Sequence, residues 1–120
     1  MKILIVDDDD VLLSWLTQKL EPLGWEIEQC QDGDSGLRLY KTAGPFEYVL
    51  TDYRFFPGQT IKNGLYLIGA IRKIDPKQRM IVQTSEENLI VPNGVKLLHK
   101  PYLFQQLLRL LRLPVQTLLF

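Results

Sequence analysis

Short apolar runs alternate with segments whose apolar residues recur every three or four positions, and this alternation organises the whole chain. It predicts strands over 2–6, 25–30, 47–51, 79–84 and 95–99, and helices over 9–22, 34–42, 64–75 and 102–112. In the first helix Leu12, Leu13, Trp15, Leu16 and Leu20 fall on one side, and Ser14, Thr17, Gln18 and Glu21 on the other. Asp9 or Asp10 can cap its start, and Pro22 with Gly24 ends it. In the third helix Leu67, Ile68, Ile71 and Ile74 share a face, which leaves Arg72 and Lys73 to solvent. Ile3–Val6 and Met80–Val82 are apolar without alternation, the pattern of strands covered on both faces. Strands alternating with helices call for a parallel α/β sheet with right-handed crossovers. No repeat, low-complexity tract or linker interrupts the pattern, so the 120 residues read as one domain.

Composition narrows the function classes. At 46% hydrophobic and 23% charged, the chain can bury a single core. Fourteen Lys and Arg balance fourteen Asp and Glu, which argues against a general nucleic-acid binder. The lone Cys30 cannot form an internal disulfide or a multi-cysteine metal site, and it suits a reducing compartment. No apolar run is long enough to cross a bilayer, and Ile3–Val6 stops at four aspartates, unlike a signal peptide. The expectation is a soluble cytoplasmic domain with no membrane and no direct nucleic-acid partner. Charge is unevenly placed: residues 1–52 carry eleven acidic and four basic side chains, and residues 53–120 three acidic and ten basic. The simplest account sets the two halves side by side; the other offers a basic face to an acidic partner.

In a parallel sheet of this kind, chemistry collects beyond the carboxyl ends of the strands. The first strand ends in Asp7-Asp8-Asp9-Asp10, the third in Thr51-Asp52, the fourth in Gln83-Thr84-Ser85 and the fifth in His99-Lys100-Pro101. Carboxylates gathered at one mouth repel each other unless a cation or raised pKa values relieve them. A hard divalent ion with oxygen ligands, Mg²⁺ above all, suits this set, and no histidine or cysteine cluster favours zinc. A carboxylate beside such an ion, with an ammonium and a hydroxyl nearby, is equipped to accept a phosphoryl group.

The runs Ile-Leu-Ile-Val-Asp-Asp, Val-Leu-Thr-Asp-Tyr-Arg, Ile-Val-Gln-Thr-Ser and His-Lys-Pro-Tyr, in this order, resemble the receiver domain of two-component response regulators. The resemblance covers nearly the whole chain. It implies a flavodoxin-like three-layer sandwich, α/β, with a five-stranded parallel sheet of order 2-1-3-4-5. By position it implies that Asp52 is the phosphoacceptor and that Asp7, Asp8, Asp52 and the backbone carbonyl of Arg54 hold Mg²⁺. Thr84 would be the switch hydroxyl, Lys100 the cation that contacts the phosphoryl group, and Lys100–Pro101 a cis bond. It further implies a histidine kinase or phosphotransfer protein as donor, a downstream protein as target, and a phosphoacceptor with self-catalysed transfer and dephosphorylation rather than an enzyme. Arg54 and Glu86, each two positions past Asp52 and Thr84, are implied to shape access of water to the phosphoryl group; a surface ion pair is the alternative.

Three departures from that family pattern stand out. Residues 85–94, ending in Pro92-Asn93-Gly94, leave room for about two helical turns at most, so the family's fourth helix is expected to be short or absent. Leu97 stands where the family usually has Tyr or Phe, which removes the usual rotamer switch with a polar tip. The loop Tyr53–Asn63, with Pro57-Gly58 inside it, looks longer than the family norm. In the last helix Leu103, Phe104, Leu107, Leu108, Leu110 and Leu111 cover an arc of about 160°, wider than one core contact needs. The apolar tail 113–120 follows. This surface either packs over the missing helix or meets a second subunit or partner, a homodimer through the 95–112 face being one such assembly.

Other readings stay open. Asp9 and Asp10 read best as a solvated helix start. Thr84 can satisfy local backbone groups, and His99 lacks a nucleophile or second ligand beside it. Trp15 and Trp25 are most simply core. A pseudo-receiver, signalling through the same pocket without phosphate, would share every motif. A haloacid-dehalogenase-like phosphohydrolase with Asp7 as nucleophile and Asp9 as acid shares the strand-to-Asp start, but Val11 stands where that family wants Thr. The chain stops soon after the last helix, as expected of a single-domain relay or of a receiver cut from a longer protein.

Overall fold

The computed structural model describes residues 1–55 and 60–112. In chain order its elements are β1 (Lys2–Val6), α1 (Asp10–Leu20), a 3₁₀ turn (Glu21–Leu23), β2 (Glu26–Cys30), α2 (Gly33–Ala43), β3 (Tyr48–Asp52), α3 (Gly64–Ile74), β4 (Met80–Thr84), β5 (Lys96–His99) and α4 (Phe104–Leu110). All strand pairs are parallel, in the order β2-β1-β3-β4-β5. This is the flavodoxin-like order that the motifs imply.

The unbroken apolar runs follow from the two layers of helices. Along β1, Ile3 and Ile5 join Leu13, Leu16 and Leu20 of α1 and Leu107 and Leu108 of α4 in one core. Leu4 and Val6 point the other way, into a second core with Leu67, Ile68 and Ile71 of α3. The same parity holds in β3, where Leu50 serves the first core and Val49 the second. Residues of the inner strands β1, β3 and β4 therefore meet a covered face, whereas the edge strands β2 and β5 keep exposed positions; burying one apolar side chain contributes roughly 1.5–3 kcal/mol.

Helix ends follow local chemistry. Asp9 caps α1 by accepting from the Val11 and Leu12 amides at 3.0 and 3.2 Å. The helix ends at Leu20 rather than at 22, because Pro22 sits in the 3₁₀ turn and Gly24 takes a left-handed φ of 94°. Asn63 caps α3 by accepting from the Leu65 and Tyr66 amides.

The region 85–94 forms no helix. Leu89 and Val91 pack instead against the second core, and Val95 is buried in it. Arg72 takes part in this closure: one of its terminal nitrogens donates to the Asn93 carbonyl, so the expectation that it points to solvent is corrected. Ile74, expected on the buried face of α3, lies 50% exposed because the helix ends there, beyond the sheet.

The last helix corrects another expectation. Its buried residues Leu107, Leu108 and Leu111 belong to the first core, on the α1 side of the sheet. The missing helix would lie with α2 and α3 on the opposite side, where the 89–95 segment packs, so α4 does not cover that gap. Leu103, outside α4 proper, is 68% exposed. The tail 113–120 and the Pro57-Gly58 part of the 53–63 loop lie outside the described residues. Among the described residues no helix is long and apolar enough to cross a membrane.

Candidate functional site

The parallel registers bring the strand ends to one edge. Val6 lies beside Thr51, Asp52 beside Gln83, and Thr84 beside His99. The ladder continues one step past three of these ends: the Asp7 amide donates to the Cys30 carbonyl at 3.1 Å, the Tyr53 amide to the Gln83 carbonyl at 3.0 Å, and the Lys100 amide to the Thr84 carbonyl at 2.8 Å. Asp7 and Lys100 are thereby held by backbone before any side-chain contact forms. The Lys100–Pro101 bond is cis, as the motif implies, and Gly44–Pro45 is cis as well.

The four consecutive aspartates divide their work. Asp7 is fully buried, and its Oδ1 accepts from the Asp9 amide at 2.9 Å. Asp8 is half-buried at the mouth, Asp9 caps α1, and exposed Asp10 accepts from the Gln31 amide side chain. Asp52 closes the set from β3, with its Oδ1 accepting from the Tyr53 amide at 2.9 Å. Behind it, α3 begins so close that a Cβ on Gly64 would stand 2.2 Å from the Asp52 carbonyl oxygen, so only glycine fits.

One oxygen from each of Asp7, Asp8 and Asp52 lies within 4.8 Å of the others. Among the described residues a single ammonium serves them: Lys100 Nζ is 2.9 Å from Asp7 Oδ2 and 3.3 Å from Asp52 Oδ1. One positive charge does not offset three carboxylates. Burial first, then the charge of Asp7, pushes the Asp52 carboxyl up to about 6 despite Lys100. Burial and Asp7 likewise raise Asp8. Burial works against the Lys100 charge, but the hydrogen bond and charge of Asp7, followed by those of Asp52, outweigh it and hold the ammonium above its ordinary value. Among the described residues Asp52 Oδ2 is left without a hydrogen bond, and no side chain donates to the Asp8 carboxylate. An excess of hard oxygen donors with lone pairs to spare fits a divalent cation such as Mg²⁺.

The surrounding residues divide into those that reach the mouth and those that do not. Thr84 is buried, and its Oγ1 accepts from the Glu86 amide at 3.0 Å, so the local backbone role is filled in this state. Arg54 Nε donates to Glu86 Oε1, joining the loop after β3 to the loop after β4, and its guanidinium lies 5.2 Å from the Tyr53 ring. Leu97 is half-buried against the second core, and His99 is exposed. Two residues that lie inside the quoted motifs, but to which the sequence reading gives no role, belong to the site. Gln83 is fully buried and donates from Nε2 to Asp7 Oδ2 at 2.7 Å, and the Tyr102 hydroxyl donates to Gln83 Oε1 at 2.5 Å. The available signal was a glutamine ending the apolar run Met80–Val82, where a covered strand has no use for an unpaired amide.

Comparison with known proteins agrees with this geometry. The model of the response regulator receiver domain family matches residues 3–112. The DNA-binding transcriptional regulator NtrC of Azospirillum brasilense is 36% identical over 88 residues, 73% of this chain and 17% of that protein. The acid tolerance regulatory protein ActR of Rhizobium meliloti (strain 1021) is 35% identical over 96 residues, 79% of this chain and 47% of that protein. The chain thus spans less than half the length of either relative. A CheY-like receiver domain protein from Methanospirillum hungatei JF-1 superposes with a TM-score of 0.82 at 26% identity, over 92% of this chain and 90% of that one. The signal receiver domain of an HD domain-containing protein from Pseudomonas fluorescens Pf-5 superposes with a TM-score of 0.80 at 27% identity, over 98% and 93% of the two chains. With the strand order, the acidic cluster and the Lys100 contact in place, the chain belongs to the receiver domains of the two-component response regulators.

Proposed function

We propose that the domain accepts a phosphoryl group on Asp52 from a histidine kinase or phosphotransfer protein in a Mg²⁺-dependent reaction, and changes partner binding in response. The observation that carries this reading is the convergence of three carboxylates on one ammonium, with Asp7, Asp8 and Asp52 oxygens within 4.8 Å and Lys100 Nζ 2.9 Å from Asp7. Asp7, Asp8 and Asp52, joined by the Arg54 carbonyl, would hold Mg²⁺. Bound there, the ion supplies positive charge against the oxygens of the transferring group.

The chain's own residues carry the rest. The deprotonated Asp52 carboxylate attacks phosphorus. An O–P bond forms as the donor's N–P bond breaks, and the electron pair leaves on the imidazole nitrogen. Lys100, poised between Asp7 and Asp52, neutralises charge on the phosphoryl oxygens. Thr84 lies at the end of the neighbouring strand, where leaving the Glu86 amide would free its hydroxyl for a phosphoryl oxygen. Hydrolysis reverses the attachment: water attacks phosphorus, the Asp52 O–P bond breaks and phosphate departs. The Arg54–Glu86 pair spans the mouth through which that water enters. These steps make the domain a phosphoacceptor rather than a turnover enzyme. Asp7, the nucleophile of the phosphohydrolase alternative, is fully buried with both oxygens accepting hydrogen bonds, which favours the phosphoacceptor reading.

Intact-mass spectrometry after treatment with acetyl phosphate and Mg²⁺ tests the proposal. Wild type should gain one phosphoryl group, and Asp52→Asn or a chelator should abolish the gain. A wild type that stays unmodified would favour the pseudo-receiver reading, for which Leu97 and the lost helix are the motivating features.

A further inference from the structure

We propose that Gln83 and Tyr102 form a positioning pair that fixes the Asp7 carboxylate for cation binding, an inference that rests on the metal-site reading above. Gln83 lies on the α1–α4 side of β4, in line with Ile81 of the first core, and is fully buried. A buried amide is tolerated only when both of its ends are paired. Here each end has a partner that fixes its polarity. Asp7 Oδ2 accepts from Nε2 at 2.7 Å, and the Tyr102 hydroxyl donates to Oε1 at 2.5 Å. An ionised carboxylate only accepts, so the amide must face it with nitrogen. The phenol then holds the opposite end and blocks the flip that would turn oxygen toward the carboxylate.

This pair gives Asp7 an anchor that Asp52 does not share. Asp7 Oδ1 is held by the Asp9 amide at 2.9 Å, and Oδ2 by Gln83 and by Lys100. Lys100 is divided between Asp7 and Asp52 and is drawn toward whichever carboxylate carries more charge. Among the described residues the Gln83 amide nitrogen donates to Asp7 alone. Tyr102 is held in turn by Trp15, edge to face with ring centroids 6.1 Å apart, and Trp15 packs on Phe104 at 5.9 Å. Burial, then the charges of Asp7 and Asp52, raises the Tyr102 phenol and keeps it a donor. The chain of contacts runs from the cleft between α1 and α4 down to the acidic cluster, and residues that orient metal ligands in this way typically govern affinity about 10- to 100-fold.

The test is Mg²⁺ titration of the full chain by calorimetry, with thermal melts recorded alongside. Tyr102→Phe keeps the ring against Trp15 and removes only the hydroxyl; it should weaken Mg²⁺ binding severalfold. Gln83→Leu should weaken it about 10-fold or more. The double variant should be no weaker than Gln83→Leu, because Tyr102 acts through the amide. Leu103→Ala, on the exposed rim, should leave affinity unchanged. Wild-type binding with unchanged constants in both single variants would overturn the pairing, as would strictly additive losses. Failure of wild type to bind Mg²⁺ would overturn the metal-site reading itself. If Gln83→Leu does not fold, Tyr102→Phe decides.

Discussion

Asp52 holds its proton up to about pH 6, because burial and the charge of Asp7 outweigh the nearby Lys100. In the unfolded chain the same carboxyl titrates near its ordinary value. Between about pH 4 and 6 the folded state therefore binds more protons than the unfolded one, and stability falls as pH rises through that window. In chelator, Asp52→Asn is expected to melt higher than wild type at pH 7, with the gap closing toward pH 4. Thermal melts at four pH values check this; a constant gap would contradict it. The Arg54–Glu86 contact calls for the opposite expectation. Both side chains are too exposed for the pair to matter to stability. Glu86→Gln should leave the melting temperature nearly unmoved, yet change the phosphoryl lifetime severalfold by altering access of water to Asp52. Phosphate release after acetyl phosphate labelling measures it.

Two glycines of α3 separate packing from propensity. A Cβ on Gly64 would stand 2.2 Å from the Asp52 carbonyl oxygen, whereas one on Gly69 meets none of the described residues within 4 Å. Gly64→Ala must push α3 away from the end of β3, at a cost of about 1–3 kcal/mol, and should slow labelling of Asp52. Gly69→Ala should gain up to about 1 kcal/mol from helix propensity and leave labelling unchanged. Denaturant unfolding beside labelling rates distinguishes the two. The inner strands were legible because their runs are apolar on both faces, and the helices because each carries a stripe. The lost helix was legible from chain length between Thr84 and Lys100. The side on which α4 packs was not, since Leu103, Phe104, Leu107 and Leu110 spread over an arc wide enough for either face. Nor was the turn of Arg72 to the Asn93 carbonyl, which depends on a loop folding back across the sheet. Asp7, Asp8, Asp52 and Lys100 could be read from strand ends. The pairing of Gln83 with Asp7 and Tyr102 could not, because one hydrogen bond spans 76 residues and the other depends on the path of the chain after Pro101.

Across the whole molecule, the sheet separates two cores, and the acidic cluster touches the layers on both sides. Asp52 adjoins α3 through Gly64, and Asp7 adjoins the α1–α4 layer through Gln83 and Tyr102. On the α3 side, the segment 85–94 is held by Leu89, Val91 and the Arg72 contact, with Ile90 left 87% exposed. On the other side, a ladder of buried hydrogen bonds and edge-to-face rings leads from Asp7 to Trp15 and Phe104. Half-buried Leu97 offers no polar tip to exchange partners, whereas Tyr102 does. A change of charge at Asp52 redistributes Lys100 between its two carboxylates, which alters the pull on Asp7 and hence on the Gln83 amide. Beryllofluoride with Mg²⁺ should therefore shift the Trp15 indole and Phe104 ring resonances more than the Ile90 and Leu97 methyls. Tyr102→Phe should mute the Trp15 response while leaving the Asp52 neighbourhood responsive. If the largest distant shifts fall instead on residues 89–97 and survive Tyr102→Phe, the state of the acidic cluster is transmitted through the β4–β5 loop and not through the α1–α4 layer.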